Sequence, residues 1–213
     1  MDQIASLPRA GRPTKAQAQA RQAKLLDVAL DHFLDRGYEQ ATIEAIAASM
    51  NMTKRTIYAR YPDKASLFLA AVRGAIERMI VPKGKLEALE TDDLETTLVA
   101  VARMRMKQIL TPEGLKLQRI INTESYRFPE IFTESYEKGA KPVIAFIARQ
   151  VRRHAVPGSV AALNPEQTAT AFMSEVMSGP VRYTVSGNFL SDRQIDQRIA
   201  FTVKLFIEGV KTR

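Results

Sequence analysis

The sequence contains no cysteine and only two histidines among its 213 residues. Without cysteine, neither a disulfide framework nor a thiolate zinc site can form. His32 and His154 lie far apart in the chain and have no acidic partners at metal-ligand spacing, so we expect no bound metal. A phosphate-binding loop, a dinucleotide fingerprint and a nucleophile elbow are also missing. We therefore expect that the protein binds no cofactor and is not an enzyme.

Long apolar runs and alternating apolar patterns are missing as well. No apolar run approaches the roughly 18 residues that a membrane-spanning helix needs, and the N-terminal segment lacks the apolar stretch of a secretory signal. Apolar residues instead recur at intervals of three and four, which predicts an all-α fold. These features together predict a cytoplasmic protein with no membrane partner.

Basic residues exceed acidic ones by 31 to 23, which gives a net charge of +8. Such an excess suits a polyanionic partner without proving one, because many soluble proteins are mildly basic. The distribution of charge is more informative than its total. Residues 53–64 hold four basic side chains and one acidic side chain, and this local cluster indicates where a nucleic acid would bind.

Residues 16–80 carry the signals of three to four short helices. A basic last turn followed by Gly37 ends the first helix. Thr42 and Thr53 are suited to cap the second and third helices, and Asp63 is suited to cap the fourth. These helices are predicted to form a compact N-terminal head.

The remainder, residues 81–213, is expected to be a separate and larger helical bundle. Val81–Gly84 breaks the helical pattern and marks the predicted boundary. Thr111–Pro112 opens one helix of the bundle, and two capping boxes, Asn164–Gln167 and Ser191–Gln194, open the last two.

Two places in the bundle helices combine glycine with proline, and both residues disfavour a continuous helix. The helix that begins at Pro129 is expected to kink near Gly139 and Pro142. The penultimate helix is expected to break at Gly179–Pro180.

The second and third helices of the head fit a helix-turn-helix, in which a buried helix and a turn support a recognition helix in the major groove. Thr42–Ser49 supplies the first helix, Met50–Met52 the turn and Thr53–Tyr61 the recognition helix. Ile46 and Ile57 are placed to pack the two helices together. The pattern therefore predicts a head that reads DNA.

The recognition helix places cations and hydroxyls where DNA would lie. Arginine and lysine suit guanine edges or phosphates, and threonine suits a phosphate or a thymine methyl. A short basic helix with two tyrosines can also be a plain solvated surface, so these residues alone leave both interpretations open. The candidates are Lys54, Arg55 and Thr56 for the groove and Tyr58, Tyr61 and Lys64 for the phosphates.

The spacing from Ala23 to Phe68 resembles the head of the TetR family of bacterial regulators. The matching positions are Phe33, Gly37-Tyr38, Ala41-Thr42-Ile43, Ile46-Ala47, Thr53-Lys54, Thr56-Ile57-Tyr58, Tyr61, Lys64 and Leu67-Phe68. The resemblance implies a DNA-binding transcriptional regulator. By the same resemblance, the residues that contact or position DNA are Thr42, Lys54, Thr56, Tyr58, Tyr61 and Lys64, and the cap residue Thr53 is included with them.

The sequence departs from the family pattern in three respects. Ala45 stands where a glutamate usually closes a capping box, so we expect a less well capped second helix. Met50-Asn51 replaces the usual alanine–glycine of the turn, and asparagine tolerates the left-handed conformation that glycine supplies there. Arg55 replaces a small residue and adds a cation at the base edges, so we expect it to set the DNA specificity of this protein.

Residues 1–15 are expected to form a flexible basic arm. Gly11-Arg12-Pro13 resembles the core of an AT-hook, in which Arg12 would lie in a narrow A·T minor groove. A disordered tail that is merely charged explains so short a motif equally well.

The resemblance further implies that the C-terminal bundle forms a homodimer and binds a small molecule. Its Arg127-Phe128-Pro129 corner looks somewhat like the AefR-like subset of the family. Pairing on a palindrome also follows from physics, because a single recognition helix contacts few base pairs. The expected dimer stripes, either of which could equally be intramolecular core, are Ile199, Val203, Phe206 and Ile207 in the last helix and Phe172, Val176, Val181 and Tyr183 in the penultimate one.

Candidate ligand-pocket residues lie in the middle helices of the bundle. Methionine and aromatic side chains adapt to varied apolar ligands, although such a stripe is also typical of a plain core. The candidates are Met104, Gln108, Phe128, Phe132, Met173 and Met177.

Three hypotheses cover these observations. The leading one is a homodimeric repressor that an unknown small molecule releases from a palindromic operator in double-stranded DNA, by changing the separation of the two heads. The alternative is a ligand-independent architectural DNA-binding protein, whose binding would be salt-sensitive with little sequence preference. The third is a helical enzyme or carrier whose head pattern is accidental, which a failure to bind DNA would favour.

Overall fold

The computed structural model describes residues 14–211, and every regular element in this range is helical. The predicted all-α class is confirmed. A π-helical turn at Tyr136–Ala140 joins the eighth helix to the ninth. The helices are α1 (Lys15–Gln40), α2 (Ile43–Ser49), α3 (Lys54–Tyr58), α4 (Lys64–Arg78), α5 (Lys83–Glu87), α6 (Leu94–Ile109), α7 (Pro112–Glu124), α8 (Pro129–Ser135), α9 (Lys141–His154), α10 (Val160–Leu163), α11 (Pro165–Val185) and α12 (Asp192–Lys211).

The first helix begins inside the predicted arm of residues 1–15. Thr14 and Gln17 form a reciprocal capping box, in which each backbone amide donates to the other side chain, at 2.9 and 3.2 Å. This box fixes the first turn of α1 at Lys15. The proposed minor-groove residue Arg12 lies outside the described residues.

The chain divides into two compact units between Ala71 and Val72. The predicted boundary lay later, at Val81–Gly84, where proline and glycine were expected to break the chain. Pro82 instead directly precedes α5, a position that its fixed backbone angle suits. The observed division falls inside α4, which continues as a helix through this point, so no helix end marks the division in the sequence.

Gly37 interrupts α1 and positions the aromatic residue that follows it. Its backbone angles, φ 74° and ψ 165°, lie in a region that is open essentially to glycine alone. Tyr38 then packs against Phe33 and Phe68, with ring centroids 5.9 and 5.2 Å apart. The ammonium of Lys64 lies 4.6 Å from the centroid of the Tyr38 ring. The end of α1 is thereby attached to α4 within the head.

The second unit, which we call the body, has a contiguous apolar core in which α9 packs on α11 and α6 packs on α12. No helix within residues 14–211 is both long and apolar enough to cross a membrane. The core side chains come from four long helices and are at most 1% exposed: Leu98, Val101, Ile147, Phe172 and Val203.

The candidate dimer stripe of α12 belongs to this core. Ile199, Val203 and Ile207 are buried within the body. The ring of Phe206 packs on that of Phe172, with centroids 4.8 Å apart. This stripe is therefore part of the intramolecular core of the body. The opposite side of α12 is the side that faces solvent.

The expected break at Gly179–Pro180 is wrong, because α11 runs through both residues. Pro180 removes the backbone donor for the Val176 carbonyl, and one turn later the hydroxyl of Thr184 donates to the Pro180 carbonyl at 2.9 Å. The missing Cβ of Gly179 leaves room for the guanidinium of Arg198, the flexible end of a side chain on α12. The helix continues through this glycine.

The other helix signals of the body have mixed outcomes. A π-helical turn, Tyr136–Ala140, occupies the place near Gly139 and Pro142 where a kink is expected, and Pro142 lies in the first turn of α9. The Ser191–Gln194 box is present, with the Ser191 amide donating to Gln194 at 2.9 Å. The predicted box at Asn164–Gln167 is wrong: the Asn164 backbone (φ −132°, ψ 62°) is not in the extended cap conformation, and its side chain makes no cap bond.

Replacing Gly37 by alanine is expected to destabilise the head by about 1–3 kcal/mol, because alanine is strained at these backbone angles. Native-state hydrogen exchange of α1 and α4 amides measures the change. Gly84→Ala is the matched control, since Gly84 is helical with open space around it and alanine favours a helix. Equal protection in both variants would contradict the role given to Gly37.

Candidate DNA-binding interface

Helices α2 and α3 are held together by buried side chains and a left-handed turn. Ile46 and Ile57 are fully buried, and Ala47 is 3% exposed. Asn51 has φ 48°, the left-handed conformation expected of it. The Met52 amide donates to the Ala47 carbonyl at 2.9 Å. The turn thus fixes the direction in which α3 leaves α2.

Both threonines expected to cap these helices do so. The Thr42 hydroxyl accepts from the Ala45 amide at 3.2 Å, and the Thr53 hydroxyl accepts from the Thr56 amide at 3.2 Å. The Thr53 and Thr56 hydroxyls are also hydrogen-bonded to each other at 2.8 Å. All three threonines remain exposed, so capping and contact with DNA are compatible.

The recognition helix is shorter than predicted and ends at Tyr58. Tyr61 lies beyond it and is only 7% exposed. Its hydroxyl accepts from Gln22 Nε2 at 3.1 Å, and Gln22 Oε1 accepts from Arg60 Nη1 at 2.9 Å. Tyr61 therefore packs the end of the recognition segment against α1 and does not present its hydroxyl to a phosphate.

Lys64 also has a partner inside the head. Its ammonium donates to the carbonyl of Glu39 at 3.0 Å, near the end of α1, and lies against the Tyr38 ring. A cation there stabilises the carbonyl end of a helix. The structure therefore gives Lys64 a positioning role that the predicted phosphate contact did not include.

Four of the predicted contact residues form one exposed surface on α3. Tyr58 is 45% exposed, and Lys54, Arg55 and Thr56 are also exposed. Within residues 14–211, the Arg55 guanidinium has neither an ion pair nor a hydrogen bond. We call Lys54, Arg55, Thr56 and Tyr58 the recognition surface. Its cations and hydroxyl suit base edges and phosphates.

Glu44 on α2 is a member of this region that the sequence patterns did not single out. Its carboxylate lies 2.5 Å from the Lys54 ammonium, and both side chains are about half exposed. The hydrogen bond from Lys54 lowers the pKa of Glu44, and the same bond raises the pKa of Lys54. Glu44 and Lys54 are ten residues apart in sequence. Only the packing of α2 on α3 brings them together.

The six candidate pocket residues are not brought together as one group. Met173 is buried in the body core, and Met104 and Met177 pack at its edge. Phe128 is partly buried. Phe132 is 58% exposed and stacks on Tyr136, with centroids 6.3 Å apart.

Gln108 is the polar member of that group and has two partners. Its Oε1 accepts from Arg105 Nη1 at 2.6 Å, and its Nε2 donates to the Met79 carbonyl at 2.9 Å. Arg105 is buried, and the sequence patterns did not single it out. Arg105 follows Val101 by four residues and Leu98 by seven, and this helical spacing places it on the buried face of α6. The spacing is the sequence signal from which its burial could have been predicted.

A cleft of about 450 Å³ lies between α6 and the start of α12. None of the six candidate residues lines it. The lining contains the ion pair of Arg103 with Asp196, 2.8 Å apart, together with Lys107 and Asp192.

Comparison with known proteins agrees with this geometry. Residues 25–71 match the family profile described as bacterial regulatory proteins of the tetR family, and residues 96–209 match the AefR-like transcriptional repressor C-terminal domain. An uncharacterised HTH-type transcriptional regulator of Mycobacterium tuberculosis is 40% identical over 145 residues, which is 66% of this chain and 68% of that protein.

Solved structures show the same fold. A TetR-family regulator from Mesorhizobium loti has a TM-score of 0.72 at 21% identity, covering 94% of this chain and all of its own. The flavonoid-responsive regulator FrrA has a TM-score of 0.63 at 25% identity, covering 91% of this chain and 99% of its own.

The buried helix pair, the left-handed turn and the exposed cationic helix define a helix-turn-helix regulator that binds DNA rather than an enzyme. The profile matches and the mycobacterial relative make the assignment specific: the chain belongs to the TetR family of bacterial transcriptional regulators, with an AefR-like C-terminal domain.

Replacing Glu44 by glutamine is expected to tighten DNA binding roughly two- to fivefold, because the Lys54 ammonium is released for a phosphate. The slope of log K against log salt should steepen by up to about 0.9, the value of one phosphate contact. Fluorescence anisotropy over a salt series measures both quantities.

Asp35→Asn is the control, since it changes the net charge equally at an exposed site of α1. The effect of Glu44→Gln should also vanish in a Lys54→Ala background. If Glu44→Gln and Asp35→Asn behaved alike, the pair would have no role in DNA binding.

Proposed function

We propose that this protein is a homodimeric, sequence-specific repressor that a small molecule releases from a palindromic operator. The observation that carries the proposal is the recognition surface. The Arg55 guanidinium, which has no partner among residues 14–211, and its exposed neighbours lie on a helix that the fully buried Ile57 holds in place. Such a surface is pre-organised for the major groove.

A palindromic operator follows from the size of this surface. The recognition helix has five residues, and only four of its side chains are exposed. One copy would contact few base pairs, so two copies on half-sites one turn or a multiple of it apart supply the affinity and specificity that a regulator needs.

The solvent-facing side of the last two helices is our proposed dimer surface. Phe201 and Leu205 on α12 are 70% and 59% exposed, and Tyr183 on α11 is 50% exposed. Phe201 and Leu205 lie one helical turn apart, and Tyr183 is the one exposed member of the α11 stripe that the sequence suggested. Large apolar side chains in adjacent exposed positions are typical of an interface.

Release by a ligand and repression are supported by proteins of related sequence or fold. A Mycobacteroides abscessus protein described as a DNA-binding transcriptional repressor is 33% identical over 99 residues, which is 46% of this chain and 50% of that protein. FrrA is described as flavonoid-responsive. A ligand in the body would favour a different separation of the two heads, so that both recognition surfaces no longer fit one face of the DNA. Binding to the chromosome also implies a cytoplasmic location.

Replacing Arg55 by alanine is expected to cost about 1–3 kcal/mol at one operator position and to relax base preference there. An operator is first obtained by in vitro selection with the unchanged protein. Binding to it and to single-base variants is then measured by gel shift. Arg36→Ala removes an equal charge from an exposed site near the end of α1 and should leave base preference unchanged.

A uniform loss of affinity for all sequences in Arg55→Ala would show that Arg55 binds phosphate and does not set specificity. Salt-sensitive binding with no selected operator at all would favour the ligand-independent architectural protein instead.

The double change Phe201→Glu and Leu205→Glu is expected to give a monomer at micromolar concentration, because two buried charges at an apolar interface are not compensated. Sedimentation velocity measures the oligomeric state. Tyr126→Glu, at a residue that is 96% exposed on the corner after α7, is the control and should stay dimeric. A dimer in the double variant would place the interface elsewhere.

A further inference from the structure

Arg105 is a buried charge in the body. The residue is 8% exposed and lies on α6, in phase with Leu98 and Val101, which are fully buried. The neighbouring arginine of the helix, Arg103, is half exposed and pairs with Asp196 at 2.8 Å. Two arginines on one helix thus have opposite environments, and in the described part of the chain only the exposed one pairs with a carboxylate.

The hydrogen bonds of Arg105 are incomplete. Nη1 donates to the neutral amide oxygen of Gln108 at 2.6 Å, while Nε is buried and finds no partner among the residues that the structure describes. Within residues 14–211, no carboxylate lies at ion-pair distance from this guanidinium. Burial lowers the pKa of Arg105, and no neighbouring charge acts against that effect.

A buried guanidinium with one neutral partner is energetically unfavourable. A buried charge costs free energy unless it is paired and hydrogen-bonded, and one neutral amide supplies only part of the compensation. A carboxylate is the natural complement, because it can accept two parallel hydrogen bonds from Nε and an Nη of one guanidinium. The unpartnered Nε is one of the two donors that such a pair uses.

We propose that Arg105 binds the carboxylate of the effector, and that the effector is a monocarboxylate with an apolar remainder. One guanidinium compensates one negative charge, and the buried face of α6 around it is apolar. This inference rests on the proposed function, since it names the chemical class of the ligand that releases the protein from DNA.

The same contacts connect the site to the end of α4. Gln108 accepts from Arg105 and also donates to the carbonyl of Met79, the residue that follows α4. A carboxylate on Arg105 competes with Gln108 for Nη1 and so changes the position of the amide that holds Met79. Because α4 continues without a break into the head, this contact gives the bound carboxylate a route to the DNA-binding unit.

The test compares carboxylates with their neutral amides in a thermal-shift series. The probes are butanoate to decanoate, benzoate and phenylacetate, each beside the amide of the same carbon skeleton. For the unchanged protein, at least one carboxylate is expected to raise Tm by about 2–8 °C, while its amide does not. If no carboxylate exceeded its amide, the inference would be overturned.

Three variants assign the effect to Arg105. Arg105→Met keeps an unbranched apolar chain and removes the charged guanidinium, so it should abolish the carboxylate shift and raise Tm without ligand. Arg119→Met is the control at an exposed arginine of α7 and should keep the carboxylate shift. Gln108→Glu supplies an internal carboxylate beside Nη1, so it should weaken the response even if Arg105→Met does not fold. A carboxylate shift that persisted in Arg105→Met, or that was as large in Gln108→Glu as in the unchanged protein, would overturn the assignment.

DNA binding separates this inference from the proposed function. Both hold if the active carboxylate lowers operator affinity at least tenfold in the unchanged protein but not in Arg105→Met. If the carboxylate binds through Arg105 without changing operator affinity, the anion site stands and release by ligand fails. If a neutral amide releases the operator equally in both proteins, release stands and the anion site fails.

Discussion

The burial of Ile57 against α2 is the interaction on which DNA reading depends. A helix of five residues is not stable in isolation, because nucleation costs more than so few hydrogen bonds return. Its conformation therefore comes from the fully buried Ile57 and Ile46, from the left-handed Asn51 and from the Thr53 cap. The backbone that carries the exposed side chains of α3 is therefore fixed by contacts within the head.

The basic residues of this chain show how environment gives one kind of charge different roles. Arg55 is exposed and has no partner among residues 14–211, so it remains available to DNA. Lys54 is paired with Glu44, which tempers its attraction for phosphate. Lys64 holds the end of α1 through a carbonyl and an aromatic ring. Arg105 is buried with a neutral partner, which makes it a candidate for an anion in the body.

Local patterns predicted the head well because its signals are short-range. The Thr42, Thr53 and Asp63 caps act over three residues, and each is present in the structure. The body was harder, since the faces of its helices are assigned by what packs on them. The stripe of Ile199 and Val203 is equally apolar in a core or an interface, and only the packing of α6 and α11 on α12 showed that it is core.

By itself the sequence determined the helical class, the helix-turn-helix spacing and the family, and it singled out Lys54, Arg55 and Thr56 as candidates for the groove. All of these follow from contacts over a few residues or from a fixed spacing. Only the tertiary structure decided which charges are free. The Tyr61 hydroxyl is hydrogen-bonded to Gln22 within the head, Lys54 forms an ion pair with Glu44, and Arg105 is buried. The physical reason is the same in each case: hydrogen bonding and burial depend on partners from other helices, and the sequence pattern of one helix does not contain them.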